Sequence, residues 1–317
     1  MRRSSLLALL ALLAAGLTAL PAHARDLTFG GASITGVYYQ VAQHGCRLLE
    51  QHKPEYNCVG RPTQGSVFNI NALSQGSIDF GVAQSDRAWQ AINGQAEWER
   101  RGAFEGLRSL FAMHPETVML VVRADSDIHA VEDITGHTIN VGNPGSGQRR
   151  NAMDVLEIYG IDPRSDIRAR NLQQHEASRA LVDGQVDGFF YTVGNPSAAI
   201  EEPANTVDIR MIPLDSDAIR AFVDERPYYV MTRIPAGTYP GVDEDIGTYA
   251  VTATVVTHAD MDEAVAYDLT AAVFEQMDDL RNAHAAFRHL EPEAMMEGVS
   301  VDLHPGALRY YEEQGWR

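Results

Sequence analysis

Two short turns gather most of the polar residues in this chain that could do chemistry. The first, at 31–36, follows the apolar run 27–30 and carries Ser33 and Thr35, with Tyr38 just beyond. The second, at 142–147, reads Gly-Asn-Pro-Gly-Ser-Gly, supplies Asn143 and Ser146, and leads into Gln148 and Arg149. Ser66 opens a helical stretch behind Thr63-Gln64-Gly65, and Gln84-Ser85-Asp86 closes a β-type run. Tyr191 and Asn195 hold the matching place later in the chain. Turns placed after parallel strands direct free backbone N–H groups and helix N-termini to one sheet edge, where an anion or carbonyl oxygen is attracted. Hydroxyls, amides and one guanidinium facing each other across such an edge suit a small carboxylate. Each Ser, Thr or Asn taken singly is more often a helix cap, so the binding reading rests on convergence of the two sets.

Catalytic signatures are missing from the sequence. The glycines at 142, 145 and 147 have neither the G-x-G-x-x-G order nor the lysine of a phosphate-binding loop, and no G-x-S-x-G or H-E-x-x-H occurs. Asp86 and Asp187 could be imagined as an acid pair, but Asp187 occupies the same helix-to-strand punctuation as Asp79. No enzyme activity, metal or cofactor is expected. Arg61 and Arg87 are further cleft-edge candidates, with ion pairing to the many carboxylates as the alternative.

The elements that must position these residues are legible as an internal repeat, about 110 residues apart. In each copy an apolar run, a Gly-rich turn and a helix are followed by a second run and helix. Leu-x-x-Gly-x-[Ile/Val]-Asp at 73–79 and 181–187 then leads into a third run. Gly76 and Gly184 stand where a helix takes a left-handed residue, and the apolar run after each reads as a buried parallel strand. Two βαβαβ series predict an α/β protein of two lobes, each with its own sheet rather than one large sheet. The β-rich runs 116–123 and 249–256 are expected to cross between the lobes, making a hinge and a cleft. Residues 260–277 and 268–290 are expected to be helical and to pack back on the first lobe. The expected organisation is a leader at 1–24, lobe 1 at 25–121 plus 249–317, and lobe 2 at 122–248.

The leader reading rests on Arg2 and Arg3, the apolar run 6–20 and the small-residue site Ala22-His23-Ala24, and it predicts export; an N-terminal membrane anchor is the alternative. An oxidising compartment favours pairing the only two cysteines, Cys46 and Cys58, with buried free thiols as the alternative. A net charge of −18 and a single lysine, Lys53, leave no basic stripe for a phosphate backbone, so nucleic acid is excluded as a partner.

Six ordered motifs resemble one family. They are Thr35-Gly36-Val37-Tyr38-Tyr39, Thr63-Gln64-Gly65-Ser66-Val67-x-Asn69, Gly81-Val82-Ala83-Gln84-Ser85-Asp86, the turn at 142–147, Ile234-Pro235-Ala236-Gly237-Thr238-Tyr239 and Leu303-His304-Pro305-Gly306-Ala307 with Tyr310-Tyr311. Together they resemble the TAXI solute receptors of tripartite ATP-independent periplasmic (TRAP) transporters, over nearly the whole chain after the leader. The resemblance implies a two-lobed type II periplasmic-binding fold and a periplasmic location. It further implies capture of a small organic acid or amino acid, such as glutamate or 2-oxoglutarate, for transient delivery to TRAP permease subunits. A ligand-sensing subunit of a signalling system is the alternative. Carried over by position, the resemblance implies ligand-facing places at Thr35, Tyr38, Ser66, Val67, Gln84, Ser85, Asn143, Ser146, Gly147 and Gln148, to which the turn analysis adds Arg149 and Asn195. The chain departs from the family pattern at Gln64, where Gly is more usual, and at Gln148-Arg149, where many members have Thr.

Overall fold

A duplicated βαβαβ series builds both halves of the protein. The computed structural model describes residues 24–317, so the expected leader lies, apart from Ala24, outside the described residues. The first series is β1 (Arg25–Gly30), α1 (Val37–His52), β2 (Tyr56–Arg61), α2 (Ser66–Ser74) and β3 (Phe80–Gln84), followed by α3 (Ser85–Ile92) and the long strand β4 (Leu107–Arg123). The second is β5 (Thr138–Asn140), α4 (Gly147–Ile158), β6 (Arg168–Arg170), α5 (Gln174–Val182) and β7 (Gly188–Val193). After these come α6 (Ala198–Ala204), β8 (Ile209–Ile212), α7 (Asp217–Asp224), β9 (Val230–Ile234) and β10 (Ile246–His258). The chain ends in α8 (Glu263–Glu275), α9 (Met277–Ala283), α10 (Pro292–Glu297) and α11 (Pro305–Glu313). No helix among the described residues is long and apolar enough to cross a membrane.

The repeated punctuation has the same physical role in both copies. Gly76 and Gly184 follow α2 and α5 at φ +63° and +67°, a region glycine enters without a Cβ penalty. Three residues on, Oδ2 of Asp79 accepts the Thr28 N–H at 2.7 Å, and Oδ2 of Asp187 accepts the Thr138 N–H at 2.7 Å. Each aspartate thereby fixes the register of a neighbouring parallel strand. The strands that follow, β3 and β7, are buried at every position, as parallel strands covered by helices on both faces must be.

Hydrogen bonding corrects one expectation. The two βαβαβ series do not carry separate sheets; their strands form one ladder in the order β2-β1-β3-β10-β4-β7-β5-β6, with β8 beside β4 and β9 beside β10. The reason is the length of the crossing strands, at 17 residues for β4 and 13 for β10. Such strands outreach the 116–123 and 249–256 runs and pair within both halves. β10 pairs with β3 over residues 253–256 and with β9 over 246–250, while β4 pairs with β7 over 117–122. Pairing therefore passes from one half to the other around Pro115-Glu116-Thr117 and Val251-Thr252, beside an irregularity between Thr252 and Thr254. The C-terminal helical region is broken at Gln276 (φ −120°, ψ 37°) rather than continuous, separating α8 from α9.

α1 buries Val37, Tyr38, Val41, Cys46, Leu48 and Leu49 on one face. That face brings Cys46 onto β2, where it forms a disulfide with Cys58 across a Cα–Cα distance of 5.0 Å. The bond closes a loop with a sequence separation of 12, which in the chain-entropy description is worth about 3 kcal/mol. Denaturant unfolding with and without reductant should differ by about that amount; equal midpoints would mean that native packing alone sets the stability.

Candidate functional site

Four helix N-termini, two from each copy of the βαβαβ series, converge on one cavity of about 60 Å³. From lobe 1, α1 begins at Val37 behind Gly36 and α2 at Ser66 behind Gly65; from lobe 2, α4 begins at Gly147 behind Ser146 and α5 at Gln174. First-turn N–H groups have no partner inside their own helix, and the aligned peptide dipoles add positive potential there. The floor is formed by Glu116 of β4 and by Tyr191, Thr192 and Val193 of β7.

The turns fold as they do because close packing requires it. A Cβ on Gly31 would lie 2.7 Å from the Cα of Tyr39, so only glycine lets β1 run directly into the turn beneath α1. Gly142 and Gly145, at φ +88° and +86°, wrap the second turn, whose Ser146 Oγ donates to the Asn143 carbonyl at 2.7 Å and accepts the Arg149 N–H at 3.3 Å. Ser66 Oγ accepts the Gln84 N–H at 3.1 Å, joining α2 to the end of β3.

The two βαβαβ series touch beside the cavity. Asn143 donates through Nδ2 to the Gln64 carbonyl at 3.1 Å, the Phe68 N–H donates to the Gly145 carbonyl at 3.1 Å, and Ser33 Oγ meets His175 Nδ1 at 3.1 Å. Deeper in, Gln84 Nε2 donates to Asn151 Oδ1 at 2.9 Å. Beyond it lies a buried cluster in which Asp86 Oδ2 accepts from Arg87 Nη2, Asn151 Nδ2 and the Tyr229 hydroxyl at 2.8, 2.9 and 3.0 Å. Burial pushes the nearby Asp154 carboxyl up to about 6.

Of the residues singled out from sequence, Tyr38, Ser66, Gln84, Asn143, Ser146, Gly147 and Gln148 line the cavity. Five do not. Thr35 is exposed on the turn, and the Val67 side chain packs in the core of lobe 1. Ser85 Oγ accepts the Thr252 N–H at 3.1 Å, tying α3 to β10. Arg149 turns aside to donate to the Gly142 carbonyl at 3.2 Å and to Asn171 Oδ1. Asn195 donates to Thr117 Oγ1 at 2.6 Å and accepts from the Tyr239 hydroxyl.

Two lining residues, Glu116 and Gln174, were not singled out as site residues. Glu116 is 2% exposed and accepts the Tyr38 hydroxyl at 2.6 Å through Oε2. Burial drives its pKa up to about 8, opposed by that hydrogen bond and assisted by the charge of Asp86. Gln174 is buried with neither amide atom hydrogen-bonded within the protein, and Gln84 Oε1 is likewise unpartnered. Buried polar atoms are nearly always satisfied, so these are groups positioned for a ligand or for water. A sequence signal existed for both: Glu116 is the one acidic residue of the β-rich run 116–123, and Gln174 is the repeat counterpart of Ser66. No group of His, Cys, Asp or Glu among the described residues is placed to hold a metal.

Fold and site together define a mixed α/β protein with helices on both faces of the sheet and a cavity at the crossing strands. The chain belongs to the NMT1-like family, which it matches over residues 29–315. Among solved structures it is similar to CAE31940 from Bordetella bronchiseptica RB50, at 13% identity and a TM-score of 0.58, with 92% of this chain and 98% of that one covered. It is also similar to a structure from work on glutathione import via GshT and the cystine ABC importer TcyBC of Streptococcus mutans, at 12% identity, a TM-score of 0.51 and coverage of 89% and 99%. A third similar structure is the periplasmic aliphatic sulphonate binding protein SsuA from Escherichia coli, at 15% identity, a TM-score of 0.43 and coverage of 91% and 83%. At such identities the likeness to the first two is one of fold.

Proposed function

We propose that the protein is a periplasmic receptor that captures a small organic carboxylate and delivers it to a TRAP-type permease. The observation that carries the carboxylate is the meeting of four helix N-termini from both lobes at one cavity, a placement that favours a small anion without any arginine in the wall. At 10–15 Å³ for each water-sized group, about 60 Å³ suits a small solute rather than a peptide or lipid. Permease delivery is supported by the six motifs that resemble TAXI receptors, and export by the leader at 1–24. In this reading lobe 1 (25–121 plus 249–317) and lobe 2 (122–248) close about the crossing strands, and the contacts between Asn143 and Gln64 and between Gly145 and Phe68 form as the second lobe completes the shell.

The test is thermal unfolding of the chain from Arg25, stripped of ligand by refolding, against dicarboxylates, 2-oxoacids and amino acids. A solute at a hundredfold excess over its Kd should add about 2.7 kcal/mol of stability. Gln148→Ala should weaken that solute by on the order of ten- to hundredfold, the cost of one lost buried hydrogen bond. Failure of every carboxylate to stabilise the protein would overturn the carboxylate reading. Equal affinity of the permease for empty and loaded receptor would overturn delivery by the closed form.

A further inference from the structure

Glu116 stands in chemically one-sided surroundings. It enters the cavity from β4, where strand pairing passes between the halves of the sheet. Its Oε2 takes the Tyr38 hydroxyl, while Oε1 lies 4.0 Å from His114 Nε2, beyond hydrogen-bond distance. Burial drives the pKa of His114 down to about 3, so β4 presents no positive charge to the carboxyl. The remaining titratable neighbours are Tyr38 on α1, Tyr191 on β7 and Asp86 at the start of α3, none of them a cation. The cavity wall contains no Lys, Arg or His. Gln84 Oε1 and Gln174 Oε1 line it without a donor from the protein, and Gln174 Nε2 lines it without an acceptor.

We propose that Glu116 selects a solute carrying a cationic nitrogen, so that the ligand is a small zwitterion whose ammonium meets Glu116 while its carboxylate meets the helix N-termini. This rests on the carboxylate-receptor reading and narrows it against dicarboxylates and 2-oxoacids. A primary ammonium offers three N–H donors and no acceptor, which matches the unpaired acceptors Glu116 Oε1 and Gln84 Oε1 together with Gln174 Oε1, while Gln174 Nε2 is left as a donor for the carboxylate. A second carboxylate or an oxo group placed at Glu116 and Gln84 Oε1 would set acceptor against acceptor. An incoming ammonium favours the ionised form of Glu116. Binding below about pH 8 therefore releases a proton to solvent.

Calorimetric titration of matched pairs tests the proposal: alanine with pyruvate and glutamate with 2-oxoglutarate, each in two buffers of different ionisation enthalpy. In at least one pair the amino acid should bind tenfold or more tighter than its oxo partner, with net proton release. Its affinity should rise on the order of tenfold from about pH 6.5 to about pH 8.5, as Glu116 no longer has to be deprotonated. Glu116→Gln, which keeps an acceptor for Tyr38, should weaken the amino acid by ten- to hundredfold and abolish the proton release. Equal or tighter binding of the oxo partner, or unchanged affinity in Glu116→Gln, would overturn the proposal and leave the carboxylate receptor standing. Absence of binding by all four compounds would overturn the proposal, and failure of the wider carboxylate panel as well would overturn the receptor reading with it.

Discussion

Gly147→Ala is expected to reduce solute affinity a hundredfold or more while leaving the empty protein as stable as before. A Cβ at this position would lie 1.5 Å from Gln84 Oε1 and 2.9 Å from Ser66 Oγ, both in the opposite lobe. Gln84 cannot step aside freely, because it is 2% exposed and its Nε2 holds Asn151 at 2.9 Å. Gly147 is the first residue of α4 and does not have a positive φ, so within its own lobe alanine is at least as good a helix residue. In the proposed receptor the clash would exist only when the cleft is closed. Melting of the empty protein should be unchanged or slightly raised, whereas small-angle scattering should show a wider average separation of the lobes. Wild-type affinity in this variant, measured with whichever carboxylate stabilises the parent, would show that solute binding does not require the closed contact.

How much of this was legible beforehand depended on whether a feature is local. The repeated glycines and aspartates could be read because each acts within a few residues: Gly76 and Gly184 end helices, and Asp79 and Asp187 bond to the adjacent strand. The turns likewise located much of the cavity wall, since a strand-turn-helix unit sends its first helical residues to the same sheet edge wherever it occurs. Which side of the turn a residue faces is a tertiary matter. Thr35 faces solvent and Ser85 clamps β10, although both sit within a residue or two of the turns. Arg149 follows Gln148 directly, and one residue of helix is enough to rotate it by about 100° away from the cavity and toward Asn171. The continuity of the sheet was hidden for a different reason: apolar periodicity marks where a strand is buried, not how many partners it has. Arg87 showed no pattern separating a cleft-edge cation from a buried one, and only the packing of α3 against α4 and Tyr229 decides it.

That buried arginine leads to the largest expected loss of stability, which Asp86→Ala should produce. Arg87 is fully buried; its Nη2 donates to Asp86 at 2.8 Å and to the Tyr229 hydroxyl at 3.3 Å, while Nε and Nη1 have no hydrogen-bond partner. Other carboxylates lie farther off, with Glu97 at 3.7 Å and Asp154 at 3.8 Å. A buried ion pair adds little over an apolar isostere, but removing one member strands the other charge without water, at a cost of about 3–5 kcal/mol. Asp86→Ala should therefore lower the denaturant midpoint by an amount equivalent to that range. Asp154→Asn should behave differently. Burial already holds the Asp154 pKa up at about 6, so its charge works against the fold: that contribution is most favourable below about pH 4 and is lost as pH rises through 6. Removing this charge should raise stability at neutral pH, by up to about 3 kcal/mol, and should flatten the pH dependence between those values. The two carboxylates also sit on opposite lobes, one on α3 and the other on α4. In the proposed receptor, opening the cleft would separate Asp86 and Arg87 from Asn151, Asp154 and Tyr229, and each half would then have to be hydrated. A loss of less than about 1 kcal/mol in Asp86→Ala would mean that Arg87 reaches water or Glu97 once its partner is gone, and that the cluster is a feature of the closed state rather than a support of the fold.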